Sequence, residues 1–222
     1  MRESRRRLSG ALRVHEIYDS IQGESTLAGM PCTLVRLAGC PLRCTYCDTP
    51  QALSFDAGEM RDIDDIVADV ARRDRPLTLV TGGEPLAQKS SLDLLAALAA
   101  ARPIVQLETS GAFDISRVDA RVRRILDIKT PGSGEESRND WNNLAHLKDG
   151  DEIKVVICDR TDYDWALDIL DRFQPRVPVL FSPAWGAVSP AELAGWILED
   201  HAPVRLQLQW HKHIWGAEAT GV

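Results

Sequence analysis

Seven short apolar runs rich in β-branched residues recur along the chain, and segments with apolar residues at helical spacing lie between several of them. The runs are Thr33–Leu37, Leu77–Val80, Ile104–Leu107, Ile125–Ile128, Ile153–Ile157, Val177–Phe181 and Leu206–Leu208. A run that is apolar on both faces suits a parallel strand covered by helices. The helical stripes are Ile63, Ile66, Val67 and Val70; Leu92, Leu95, Leu98 and Ala99; Trp165, Leu167, Ile169 and Leu170; and Leu193, Trp196 and Ile197. A looser alternation from Leu12 to Ile21 predicts a peripheral strand ahead of them. Such β/α alternation builds an open wound sheet or a barrel, and in both the reactive groups gather where strands end. Seven core strands fall short of a closed eightfold barrel, and 222 residues is short for one.

The length allows one substantial core, and no stretch reads as a linker, so a single domain over residues 11–222 is predicted. Ahead of it, residues 1–10 read as a disordered basic arm with four arginines among the first seven positions. The net charge of -7 argues against a nucleic-acid-binding surface. No apolar run approaches the roughly 18 residues that a membrane span needs. Five cysteines in a chain of this size do not make a disulfide framework, so a cytoplasmic, reducing setting is expected.

Three of those cysteines stand together in Gly39-Cys40-Pro41-Leu42-Arg43-Cys44-Thr45-Tyr46-Cys47-Asp48-Thr49. Three thiolates on one loop can hold three irons of a four-iron cluster and leave the fourth open to a small molecule. A structural zinc would need a fourth ligand, and Asp48, adjacent to Cys47, is poorly placed to close a tetrahedron. Cys32 and Cys158 fall in apolar runs and read as small core residues. The spacing Cys-x3-Cys-x2-Cys with an aromatic residue before the last cysteine resembles the radical S-adenosylmethionine (SAM) superfamily. That resemblance implies a partial, laterally open β/α barrel with about six to seven mostly parallel strands and a reduced helix set, a [4Fe-4S] cluster on Cys40, Cys44 and Cys47, and bound SAM.

Further motifs fit the same resemblance. Thr81-Gly82-Gly83-Glu84-Pro85 follows a strand, where two glycines permit close backbone approach and Glu84 offers a carboxylate to an amine. The superfamily's GGEP motif binds the methionine amino group. Glu108-Thr109-Ser110-Gly111 ends another strand with groups suited to ribose or to the amino-acid end of SAM. Lys129 can offset the SAM carboxylate, or be solvated as strand lysines usually are, and the same holds with less weight for Lys154. Tyr46 stands where the superfamily lays a residue against adenine.

Outside the SAM motifs, Gln22-Gly23-Glu24, Arg36, Cys47-Asp48-Thr49 and Leu208-Gln209-Trp210-His211-Lys212 together resemble the 7-carboxy-7-deazaguanine synthase family, over about Val14 to Trp215. The family turns 6-carboxy-5,6,7,8-tetrahydropterin into 7-carboxy-7-deazaguanine with loss of ammonia, on the way to queuosine and other deazapurines of tRNA modification. By that resemblance the SAM-derived radical takes hydrogen from C6 of the pterin, the ring contracts, and SAM is regenerated, with no side-chain radical. Arg36 then clamps the substrate carboxylate, Gln22 and Glu24 read the amide edge, and Thr81 joins the substrate side. Thr49 becomes a Mg2+ ligand, with Asp48 ligating or orienting it, unless the pair merely caps the turn before Pro50. His211 can relay a proton, whereas His213 reads as external. A homodimer and a flavodoxin-type electron donor are also implied. Two rivals remain at this point: an activase that abstracts hydrogen from a glycine of a partner protein, and an electron-transfer module without a catalytic step.

Overall fold

A computed structural model describes residues 10–222; apart from Gly10, the basic arm lies outside the described residues. The strands are β1 (Ala11–Ile21), β2 (Pro31–Leu37), β3 (Glu59–Asp62), β4 (Leu77–Gly82), β5 (Ile104–Thr109), β6 (Arg123–Ile128), β7 (Glu152–Ile157), β8 (Val179–Pro183) and β9 (Arg205–Leu206). They form one sheet in the order β3-β1-β2-β4-β5-β6-β7-β8-β9. From β2 to β9 every pairing is parallel, while β1 runs antiparallel to β2 and β3 to β1. The two edges do not pair with each other, so the sheet stays open. The seven expected parallel strands are all present. The peripheral strand is β1, and β3 is an addition: Glu59-Met60-Arg61-Asp62 is polar and exposed, and only its pairing with Ala11–Val14 makes it a strand.

The helices are α1 (Ile63–Arg73), α2 (Ser91–Ala101), α3 (Arg160–Phe173), α4 (Pro190–Glu199) and a short α5 (Trp210–Trp215). The first four carry the four predicted stripes. Local signals fix their ends. Helix α1 has Asp64 and Asp65 in its first turn and Arg72 and Arg73 in its last, both matched to the helix dipole. In α4 the Ser189 hydroxyl caps the Glu192 N–H, and Pro190 fits the first turn. No α-helix joins β5 to β6 or β6 to β7, where turns and short 3-10 segments run instead.

Burial divides the two faces of the sheet by chemistry. Outward side chains such as Val35, Leu37, Val80, Val105, Leu107 and Leu126 pack against Ile66, Val70, Leu95 and Leu98 of α1 and α2. Ile153, Val155, Ile157 and Phe181 pack against Tyr163 of α3 and Leu193 of α4. Burying these aliphatic side chains stabilises the fold by about 1.5–3 kcal/mol each relative to exposure. The inward positions are polar: Arg36 on β2, Thr81 on β4, Gln106 and Glu108 on β5, Asp127 on β6, and Glu152 and Lys154 on β7. Parallel register aligns Arg36 with Thr81 and Asp127 with Lys154, so adjacent strands deliver these groups at one level.

Candidate active site

The inward groups and the cysteine loop surround a cavity of about 350 Å3, lined among others by Cys40, Cys44, Cys47, Arg36, Glu108 and Lys154. Cys40 is buried and Cys44 and Cys47 half-buried, all with free thiols. Burial pushes the thiols of Cys40 and Cys44 up, and the Lys129 ammonium pulls both the other way. Among the described residues no three His, Cys, Asp or Glu side chains converge on a single ion. All three thiols line the cavity, as three ligands of one cluster need to.

The loop rests on a second turn. Thr45 donates its N–H to the Ser133 carbonyl at 3.0 Å and its hydroxyl to the Gly132 carbonyl at 2.7 Å. The buried Asp162 carboxylate holds that turn, accepting from Thr130 Oγ1 and from the N–H groups of Gly132 and Cys158.

The GGEP segment departs from its expected geometry. A Cβ on Gly82, where φ is +143°, would lie 2.0 Å from the Leu37 carbonyl oxygen, and one on Gly83 would lie 2.4 Å from that of Gly39. The close approach these glycines permit is to the backbone leading into the cysteine loop. Gly83 N–H donates to the Leu37 carbonyl and Glu84 N–H to the Gly39 carbonyl. Gly82→Ala is accordingly expected to destabilise the apo-protein by about 2–4 kcal/mol, lowering its Tm by about 8 °C in a thermal melt. A melt within 2 °C of wild type would contradict this packing.

Glu84, expected to face an amine, is fully buried and does not line the cavity. Its carboxylate accepts from Thr109 Oγ1 and the Leu86 N–H, both at 2.9 Å, and from the Ser110 N–H at 2.7 Å. Burial pushes its carboxyl up, and those donors pull it back. It ties the end of β4 to the end of β5, and Ser110 reaches the cavity wall as a result. An electrostatic hub built on Lys154 lies at the centre.

Lys154 is 7% exposed as a side chain, and its ammonium meets Glu24 at 2.6 Å, Asp127 at 3.4 Å and Glu108 in a closer hydrogen bond. Burial works to strip its proton, but these carboxylates hold it charged. Thr81 donates its hydroxyl to Glu108 at 3.2 Å. Lys129 pairs with Asp127 at 3.0 Å and stands 5.7 Å from the centre of the Tyr46 ring. The buried Tyr46 hydroxyl and Asp127 Oδ1 have no protein partner. Burial keeps the Tyr46 phenol protonated well beyond its ordinary range.

Arg36 lies on the wall with its guanidinium engaged at every nitrogen. Nε meets Glu16 at 2.7 Å, Nη2 donates to Tyr18 Oη at 2.9 Å and Nη1 to Thr49 Oγ1 at 3.4 Å. Sequence reasoning missed Glu16 and Tyr18, although their i, i+2 spacing on β1 was the available signal. Thr49 precedes the Pro50–Ala52 turn without capping it, which removes the capping alternative for its hydroxyl. That hydroxyl donates to Asp48 Oδ1 at 3.0 Å.

Helix α5 closes over these groups. Gln209 donates to Glu24 Oε1 at 2.8 Å and to Asp48 Oδ2 at 3.3 Å, and the Lys212 ammonium stands 3.0 Å from Asp48. Burial opposes the Asp48 charge, but Lys212, with help from Lys154 and the Thr49 hydroxyl, outweighs it and holds the carboxyl at about 2. The pair therefore contributes fully above the ordinary carboxylate pKa near 3.8 and is lost as pH falls through about 2. Lys212→Met should return the Asp48 titration toward 4, read by carboxyl NMR; an unmoved midpoint would remove Lys212 as the cause. His211 packs on Gly23, where a Cβ would come within 2.3 Å of its Nδ1, and burial lowers its pKa so that it is neutral at pH 7. His213 is exposed, as expected.

The profile of the Radical SAM superfamily matches residues 34–182. The 7-carboxy-7-deazaguanine synthase of Chlorobaculum tepidum is 43% identical over 216 residues, spanning 95% of this chain and 97% of that protein. That of Koribacter versatilis is 40% identical over 228 residues, spanning 95% and 100%. The chain belongs to the 7-carboxy-7-deazaguanine synthases of the radical SAM superfamily. Membership brings a [4Fe-4S] cluster and SAM as cofactors. The crystal structure of QueE from Escherichia coli superposes with a TM-score of 0.73 at 21% identity over 90% of this chain and 95% of that one, which bears on the fold alone.

Proposed function

We propose that the protein is a radical SAM lyase converting 6-carboxy-5,6,7,8-tetrahydropterin to 7-carboxy-7-deazaguanine with loss of ammonia. The observation that carries this is that the three cluster-type thiols and the polar set Gln22, Glu24, Arg36, Glu108 and Lys154 open into one cavity. An activase would have to admit a polypeptide loop, whereas α5 is bonded to both Glu24 and Asp48 here, and residues 216–222 line the same cavity. An electron-transfer module has no use for that polar wall.

When bound, the cluster and SAM supply an electron and a hydrogen-abstracting carbon radical. The rest is positioning and charge. Cys40, Cys44 and Cys47 hold the cluster; Tyr46, the Gly82–Gly83 edge, Glu108, Ser110 and Lys129 frame SAM, with Glu84 bracing that frame from behind. Lys154, paired with Glu24 and Glu108, holds Glu24 in place as an acceptor for the donor-rich pterin edge, beside Gln22 and Thr81. Arg36 takes the substrate carboxylate by exchanging its Thr49 contact, the longest of its three. Neutral His211 can accept a proton at pH 7 and return it as ammonia leaves. The test is an anaerobic incubation of reconstituted protein with dithionite, SAM, Mg2+ and the carboxypterin. Mass analysis should find 7-carboxy-7-deazaguanine; 5'-deoxyadenosine alone would overturn the substrate.

Mg2+ suits the oxygen pair Thr49 and Asp48, since this ion takes few protein ligands and completes its shell with substrate oxygens and water. With Asp48 held by Lys212, Thr49 is the ligand and Asp48 orients it. Thr49→Ala is expected to lower turnover about tenfold or more and to flatten the response to added Mg2+. An unchanged Mg2+ titration would remove Thr49 from the metal.

A single domain over residues 11–222 is supported by the one continuous sheet. A cytoplasmic setting suits five free cysteines, and no helix among the described residues is long and apolar enough to cross a membrane. A flavodoxin-type donor, a homodimer and a place in queuosine biosynthesis follow by family resemblance. For the dimer, exposed Trp185, Trp210, Ile214 and Trp215 offer apolar surface.

A further inference from the structure

Beneath the Glu24–Lys154–Glu108 level lies a second buried polar layer that the proposed chemistry does not use. Gln106 and Glu152 sit two residues before Glu108 and Lys154 on the same strands, are each 2% exposed, and do not line the cavity. Gln106 Nε2 donates to Ser25 Oγ at 3.1 Å, and its Oε1 accepts from Gln22 Nε2 at 2.6 Å. Gln22 Oε1 in turn accepts the Glu24 N–H at 3.2 Å.

The direction of each bond follows from the two ends. The N–H groups of Glu24 and Leu27 can only donate, the first to Gln22 Oε1 and the second to Ser25 Oγ at 3.0 Å. Ser25 Oγ thus accepts from both Leu27 and Gln106. Glu152 Oε2 takes the Thr26 N–H at 2.9 Å and so ties the same segment to β7. No amide in this chain can flip without setting donor against donor.

Resting on the pterin assignment above, we infer that Gln106, anchored by Ser25, is a positioning residue that locks the amide polarity of Gln22, and so selects a 2-amino-4-oxo pyrimidine edge over a 2,4-dioxo edge. Locked this way, Gln22 keeps one N–H and one lone pair for the cavity, each at a fixed place. A 2-amino group only donates and a 2-oxo group only accepts, so the two ligands need opposite partners at that point. A site with fixed hydrogen-bond polarity rejects the mismatched ligand because buried polar groups are left unpaired.

The experiment is equilibrium binding of 6-carboxytetrahydropterin and its 2,4-dioxo analogue to reconstituted, SAM-loaded protein under anaerobic conditions. Wild type is expected to prefer the pterin by about a hundredfold. Gln106→Met removes the 2.6 Å bond and leaves Gln22 with only the longer 3.2 Å contact to the Glu24 N–H, so its amide polarity is loosened and the preference should fall to about fivefold with SAM affinity unchanged. Ser25→Ala removes the anchor of Gln106 and should relax the preference in the same direction, which decides the matter if the methionine variant does not fold. A role in packing alone would weaken both ligands equally, and a preserved ratio in the soluble variants would overturn the inference. Wild-type protein that binds neither acid would instead overturn the pterin assignment beneath it.

Discussion

Lys154→Met is expected to lower the Tm of the apo-protein by about 10 °C and to reduce carboxypterin turnover a hundredfold or more. One ammonium serves Glu24, Glu108 and Asp127, all in a largely buried setting. Removing one partner of a buried ion cluster while the others stay typically destabilises by about 3–5 kcal/mol, and each kcal/mol shifts Tm by about 2–4 °C at this chain length. The deficit has a pH signature. Without the lysine Glu24 and Glu108 lose their shared cation while Asp127 keeps Lys129, and protonation of the two stranded acids relieves their repulsion as pH falls. The Tm gap between wild type and variant should therefore be widest near pH 7–8 and narrow towards pH 5. A constant gap would mean that the loss comes from packing, and a gap under 3 °C at pH 7 would mean that the hub contributes little.

The second large effect concerns the thiols. Cys44→Ala protein, reconstituted anaerobically, is expected to lose the iron–sulfur absorbance that saturates in wild type and to give no measurable turnover, while its fold persists. Cys44 is half-buried on a loop whose backbone contacts run through Thr45 to Ser133 and Gly132, so the alanine leaves those contacts in place. Iron content per chain and far-UV circular dichroism separate the two consequences. Cys32→Ala and Cys158→Ala serve as controls, since neither thiol lines the cavity. Full cluster loading of Cys44→Ala would show that this thiol is not a ligand.

The parallel strands and the four longer helices were legible because each buries an apolar set whose period is visible in one dimension. Strand β3 was not, because Glu59-Met60-Arg61-Asp62 has no apolar pattern and owes its conformation to β1. Helix α5 is six residues, aromatic and basic but for Ile214, and too short for a period to show. At the site, the cysteine loop was legible because its chemistry lies in local spacing. Lys154 was undervalued because strand lysines are usually solvated, and nothing local reveals that this one points into a barrel where β1–β2, β5 and β6 bring three acids around it. Glu84 illustrates the reverse. The TGGEP motif is local, but whether its carboxylate faces a ligand or braces Ser110 and Thr109 depends on where β5 ends. Gln106 and Glu152 gave no signal at all, since their significance lies in two strands meeting the Gln22–Thr26 segment from below.

The proposed reaction rests on a cluster held by three cysteines in one cavity, with a coordination position left for SAM. The most direct measurement is the EPR spectrum of the dithionite-reduced, reconstituted protein during titration with SAM. A [4Fe-4S]+ signal whose g-values shift and saturate as SAM binds is expected, with Cys44→Ala giving neither signal nor shift. A strong reduced-cluster signal that SAM leaves unchanged would contradict it.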